Sequence, residues 1–172
     1  MRVIRTIVRV FEYLNEWTGS KVACWACVAL IMVLLYETVA RYVFDSPTGW
    51  VFETSMMLGI TIGSLGLGYT HKHHRHVRVD VFYRLLSPRG KAILDAVCAS
   101  LLLLPLVVVI AITAADWMWF SWSKGEVMIK AVWYPPTGPI RTVFFLGFSL
   151  FAAQGVAQLI RDLHLAIRKK PL

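Results

Sequence analysis

Apolar residues in this chain do not alternate with polar ones. They continue for about 20 residues at a time, the length a helix needs to cross the hydrocarbon core of a bilayer. Four such runs stand out, at about 22–42, 51–70, 92–117 and 140–160. A transmembrane barrel would show alternating segments of about 10 residues instead, so the pattern predicts an all-α integral membrane protein with four transmembrane helices. No internal repeat or low-complexity tract is present, and residues 1–172 read as a single membrane domain. Pro105 falls in the middle of the third run and is expected to kink it, which membrane helices tolerate.

Ahead of the first run the period changes. At roughly 100° per residue, Arg2, Arg5, Arg9, Glu12 and Glu16 fall within a sector of about 80°. Val3, Ile4, Ile7, Val10, Phe11 and Leu14 occupy the opposite side. This predicts an N-terminal interfacial amphipathic helix over residues 1–20, lying in the headgroup plane, with Thr18, Gly19 and Ser20 turning the chain into the first span. The alternative is a plain cytoplasmic extension of that span. A cleaved signal is not expected, because no small-residue cleavage pattern follows a short apolar run.

Charge adds orientation. Of the 18 basic residues, 14 lie in segments 1–21, 72–91 and 161–172. An even number of spans places those three segments on one side, which the positive-inside rule makes cytoplasmic. Both termini are therefore expected in the cytoplasm, with two connections outside. Trp50, Trp117, Trp119, Trp122, Trp133 and Tyr134 cluster near the outer boundary, where amphipathic rings prefer to sit. The composition agrees: 58% of residues are apolar and 16% charged, against about 25% charged in soluble domains. The net charge of +8 is then a topology signal and needs no nucleic acid partner.

Candidate chemistry is sparse. Glu37 and Arg41 lie four apart near the outer end of the first span, in the favourable order for a helical ion pair; Asp45 and Glu53 follow. A structural ion-pair cluster is the preferred reading. The functional alternative makes Glu37 the coupling acid of an oligomeric small cation or drug exporter, because acids inside a bilayer often mark ion paths. His71, His73, His74 and His76 form the run H-K-H-H-R-H. Imidazoles ligate metals, but Lys72, Arg75 and Arg78 among them oppose a dication, so anionic membrane lipids are the expected partner and no metal site is assigned. Haem is not expected, since no histidines face each other within the spans. Cys24 and Cys27 have a redox spacing without a second pair and read as small buried residues. No nucleophile motif, phosphate loop or acid–base pair appears, so neither an enzyme nor a cofactor is expected.

Two spans carry packing signals. Ser55, Gly59 and Gly63 recur at intervals of four in the second span, and such rows let helices approach closely. The spacing does not say whether the neighbour belongs to this chain or to another subunit. Gln154 and Gln158 give the fourth span a polar stripe suited to interhelical hydrogen bonds. The second outer connection ends in W-Y-P-P-T-G-P, residues 133–139. Its prolines restrict the backbone, which suits either docking of an outer partner or a stiff lid returning to the membrane.

One order of motifs is recognisable. Arg41-Tyr42-Val43-Phe44 is followed by Pro47, Trp50 and Glu53. After the second span come His76-Val77-Arg78-Val79-Asp80, then Leu85, Leu86 and Pro88. With Gly125-Glu126, the Pro-rich approach to the fourth span and Gln154, this resembles the small membrane subunit (DctQ-like) of tripartite ATP-independent periplasmic (TRAP) transporters, over about Arg41 to Asp162. The resemblance implies a multi-pass protein of the bacterial inner membrane that completes the scaffold of a sodium-coupled importer of organic acids. It also implies two partners: a large membrane subunit, which would carry the sodium and substrate sites, and a periplasmic binding protein. Arg41, Trp50 and Glu53 are then expected to anchor the outer boundary. His76, Arg78 and Asp80 are expected to cap the cytoplasmic end of the second span.

Overall fold

The computed structural model describes Tyr13 and residues 16–72, 88–129 and 133–168. Most of the expected amphipathic helix lies outside the described residues, as do His73, His74, His76, Arg78 and Asp80. Five α-helices are described: α1 (Ala23–Tyr42), α2 (Val51–Lys72), α3 (Pro88–Cys98), α4 (Leu104–Lys124) and α5 (Gly138–Arg168). Two π-helical turns, Thr18–Val22 and Ala99–Leu103, lead into α1 and α4. Among the described residues, four stretches are long and apolar enough to span a membrane: Thr18–Tyr42, Val51–Thr70, Ala99–Lys124 and Gly138–Arg161. The protein is an all-helical, multi-pass membrane protein.

Local sequence explains the irregularities. Pro105 has no N–H to give to the carbonyl one turn back, and the wider π turn at Ala99–Leu103 sits immediately ahead of it. Helix α3, this turn and α4 form one helical run from Pro88 to Lys124, so the third apolar stretch reaches further outward than residues 92–117. The expected turn at Thr18–Ser20 is likewise a π turn that carries the helix onward. There Gly19 fits only because it lacks a side chain: a Cβ would collide with Tyr69 and lie 3.4 Å from the Leu65 carbonyl oxygen.

The ends of α1 and α4 close differently. Beyond α1, Ser46 N–H donates to the Ala40 carbonyl at 3.0 Å while Asp45 takes φ 46°. This closes the helix through a left-handed aspartate, a residue that tolerates that region, with a bond one residue longer than a Schellman turn makes. Beyond α4, Gly125 takes φ 58°, and its own N–H and that of Glu126 both go to the Ser121 carbonyl.

Helix α5 is the centre of the bundle. It packs on α2 along one side and on α4 along another, and α1 reaches the bundle through α2. Lipid tails are as apolar as leucine, so packing and hydrogen bonds hold such helices together. On α5 a close approach is made at Gly147, where a Cβ would lie 2.6 Å from the Ser64 carbonyl carbon. Ser64 is itself buried, with its hydroxyl donating to the Ile60 carbonyl at 2.7 Å. Lower on α5, a Cβ on Gly155 would touch Leu103 and Leu104, and Gln154 is completely buried.

Gly59 and Gly63 do not take part in this contact. They are exposed, with nothing within 4 Å of the place a Cβ would occupy. The face of α2 used inside the chain is the neighbouring one that carries Ser64 and Gly68. Cys24 and Cys27 also differ from expectation. Both are exposed free thiols, and Ala23 and Ala26, one position earlier, take the buried places on α1.

Gly147→Val should lower the stability of the chain by about 1–3 kcal/mol through overpacking. Gly59→Ala and Gly63→Ala should leave thermal unfolding in detergent unchanged or raise its midpoint, alanine being the better helix former. Equal losses at all three positions would contradict the packing.

Candidate functional site

The end of the bundle that carries the 43–50 and 125–137 connections is called outer here, after the charge asymmetry. Two separate charge knots and one isolated carboxylate lie there.

The first knot ties α1 to its own connection. Arg41 Nη2 lies 2.5 Å from Glu37 Oε1, and Arg41 Nε donates to the same oxygen at 2.9 Å. The other oxygen, Oε2, accepts the Thr48 backbone N–H at 3.1 Å and the Thr48 hydroxyl. Both carboxylate oxygens are therefore engaged. Arg41 is more than half exposed and Glu37 nearly buried, so the arginine can also reach the headgroup layer. Trp50 packs beside this knot, its ring 5.7 Å from that of Tyr36, and its carbonyl accepts the Thr54 hydroxyl at 2.9 Å.

The second knot joins the end of α4 to the start of α5. Arg141 holds Glu126 with two nitrogens, Nη1 to Oε2 at 2.7 Å and Nη2 to Oε1 at 3.0 Å. Such forked pairs are the strong form of charge-assisted hydrogen bond. Ser121 Oγ donates to Glu126 Oε2 at 3.1 Å and lies 3.1 Å from Thr137 Oγ1. The Thr137 hydroxyl and backbone N–H both donate to the Glu126 carbonyl at 3.0 Å. An antiparallel bridge between Val127 and Pro136 and the bond from Met128 N–H to the Pro135 carbonyl complete a clip. Trp122 closes it from the side, donating Nε1–H to Thr142 Oγ1 at 2.9 Å. The Arg141 guanidinium lies 5.8 Å from the Trp117 ring centroid, within cation–π range.

Glu53 stands apart from both. It is 8% exposed, and its Oε2 accepts no hydrogen bond. It occupies the first turn of α2, where the helix dipole favours a negative charge. It lines a cavity of about 600 Å³ bounded by Phe52, Met56, Ile60, Trp117, Phe144 and the 126–129 segment, with Arg141 at the wall. The cluster expected from Glu37, Arg41, Asp45 and Glu53 thus divides: Glu37 and Arg41 meet, and Glu53 faces the α4–α5 side.

Sequence reasoning missed Arg141, Ser121 and Thr137 as partners of Glu126. Two signals were available. A basic residue at the start of a span needs a counter-charge, and Glu126 is the acid on the adjoining connection. Thr137 directly precedes Gly138-Pro139, the position from which a hydroxyl caps a helix.

These features define a class of multi-pass α-helical membrane protein whose charges near one boundary tie helices to loops. The comparisons with known proteins are more specific. Residues 30–165 match the family described as "Tripartite ATP-independent periplasmic transporters, DctQ component", and the chain belongs to that family. It is also 26% identical over 82 residues to the sialic acid TRAP transporter permease protein SiaT of Haemophilus influenzae (strain 86-028NP). The matched stretch covers 48% of this chain and 13% of that protein, so the chain spans a small part of the relative's length. The resemblance read from Arg41 to Asp162 is borne out.

Two measurements check the knots. Glu37→Ala should destabilise the chain more than the combined Glu37→Gln and Arg41→Gln change, because it leaves the arginine uncompensated; thermal melts in detergent read the order. A double-mutant cycle on Glu126→Gln and Arg141→Gln should give a coupling of about 1–2 kcal/mol, between the values for exposed and fully buried pairs. Simple additivity would contradict the forked pair.

Proposed function

We propose that this chain is the accessory scaffold subunit of a sodium-coupled TRAP importer of organic acids in a bacterial inner membrane. In this reading it steadies a large transport subunit and supports docking of a periplasmic binding protein, while the sodium and substrate sites lie in the partner. Sialic acid, named in the description of the Haemophilus relative, illustrates the class of cargo. The chain itself would catalyse no reaction and hold no cofactor.

The observation that carries the proposal is the closure of the two charge knots. Glu37 is held by Arg41 and Thr48 on both oxygens, and Glu126 by a forked arginine and two hydroxyl-bearing neighbours. Groups so tied orient helices and loops; they are poorly placed to bind and release an ion. Transporter substrate sites are commonly built from interrupted helix pairs near the midplane. The interruptions described here are single π turns, one of them explained by Pro105. The clip between residues 126–128 and 135–137, beside the exposed Trp133 and Tyr134, offers an outer surface for a binding protein. Both arguments weigh against the exporter reading, in which Glu37 would have to titrate and move.

Deleting this chain from cells that keep the large subunit and the binding protein should abolish uptake of the labelled organic acid. Restoring the chain should recover it. Wild-type uptake without the chain would overturn the proposal. The exporter reading makes the opposite demand: the purified chain alone, in vesicles, would have to move a cation or drug and lose that activity in Glu37→Gln.

A further inference from the structure

Resting on that subunit reading, we infer that the exposed glycine face of α2 and the cavity at Glu53 form one docking site for a transmembrane helix of the large subunit, which places a lysine or arginine against Glu53. Three observations converge on this site. The Glu53 carboxyl is 8% exposed and lines an apolar cavity, yet its Oε2 accepts no hydrogen bond. A carboxylate withdrawn from water without a counter-charge is costly, and the one cation on the cavity wall among the described residues, Arg141, is already forked onto Glu126. Among the described residues no free cation of this chain faces the cavity, which leaves room for one from a partner.

The second observation is the surface beside the cavity. At about 100° per residue, Phe52, Met56, Gly59 and Gly63 share one strip of α2, and Glu53 and Ile60 lie between that strip and the packed face that carries Ser64. All four strip residues are exposed, and the two glycines have open space where a Cβ would stand. Glycines one turn apart give a flat backbone track that a neighbouring helix can approach closely. An acyl chain has no need of such a track.

The third observation is continuity. Phe52 and Met56 belong both to the strip and to the cavity lining. A helix seated on the glycines would run directly past the cavity mouth, and a long cationic side chain near its outer end would enter beside Glu53. Lysine and arginine suit this position, because their apolar stems fit an apolar wall while the charged head reaches the carboxylate.

The test uses the chain co-expressed with a tagged large subunit and purified as a complex. Glu53→Gln and Gly63→Leu should each reduce the small subunit retained on the tag by about tenfold, the scale of a polar interhelical contact in a membrane. In the isolated chain, the melting temperature of Glu53→Gln should stay the same or rise, since no described side chain holds Oε2. Replacing the lysines and arginines at the outer span ends of the large subunit with glutamate, one at a time, should reveal one position whose binding defect is relieved by Glu53→Lys. A wild-type pair that associates while both variants bind at full strength overturns the inference alone. A melting temperature of the isolated Glu53→Gln chain that falls as far as binding does also overturns it, by making Glu53 an internal strut. So does loss of a co-purifying aminophospholipid from Glu53→Gln, seen by native mass spectrometry, with the complex intact. A wild-type pair that does not associate overturns the subunit reading, and the inference with it.

Discussion

Inside a bilayer, a charge that no neighbour neutralises is expensive, and a helix gains little from burying apolar surface that lipid would cover equally well. Much of the described structure follows from these two constraints together. Attraction between the spans has to come from close contact and from polar ties. The close contact is made where side chains are smallest, at Gly147 on Ser64 and at Gly19 on Tyr69. The polar ties are made where charge is cheapest to hold, near the outer boundary, by Glu37 with Arg41 and Thr48 and by Glu126 with Arg141. One set of contacts brings the helix backbones together, and the other fixes the connections that lead from helix to helix.

This division explains why α1 sits so loosely on the bundle. Its described buried side chains are Ala23 and Ala26, and tryptophan, leucine and methionine elsewhere on it are largely exposed. It is joined at one end by the π turn that brings Gly19 against α2, and at the other by the Glu37 knot that pulls in the 43–50 connection. A span with so few buried side chains leaves a broad apolar flank. Such a flank can only be covered by lipid or by another membrane protein, and either suits a member of the DctQ family.

The four spans were legible in the sequence because a run of 20 apolar residues has one good structural solution in a membrane. The partnership of Glu37 and Arg41 was legible for a similar reason: four residues apart on one helix leaves little freedom. The partners of Glu126 were not, because Ser121, Thr137 and Arg141 reach it across a connection whose path the local pattern does not specify. The exposed cysteines show the same limit at finer scale. Cys24 and Cys27 are apolar enough for either side of α1, and a shift of one residue, set by contact with α2, gives the buried places to Ala23 and Ala26. Periodicity identifies a face, but the neighbour decides which face is used.

The same reasoning applies to α2, where the sequence offered two small-residue faces. The chain uses the one with Ser64 against Gly147 and leaves the one with Gly59 and Gly63 open. Glycine in a helix interior costs about 1 kcal/mol relative to alanine, so two open glycines one turn apart weaken α2 with no return inside this chain. Glu53, between that strip and the face that carries Ser64, has a further cost as a buried carboxyl whose Oε2 has no hydrogen-bond partner. Two unrelated costs on adjoining surfaces of one helix have a common remedy if a second helix lies there. The glycines then permit its approach, and its cation completes the carboxylate. On this argument the isolated chain is an unfinished packing problem, with its missing element expected along α2 at the level of Glu53.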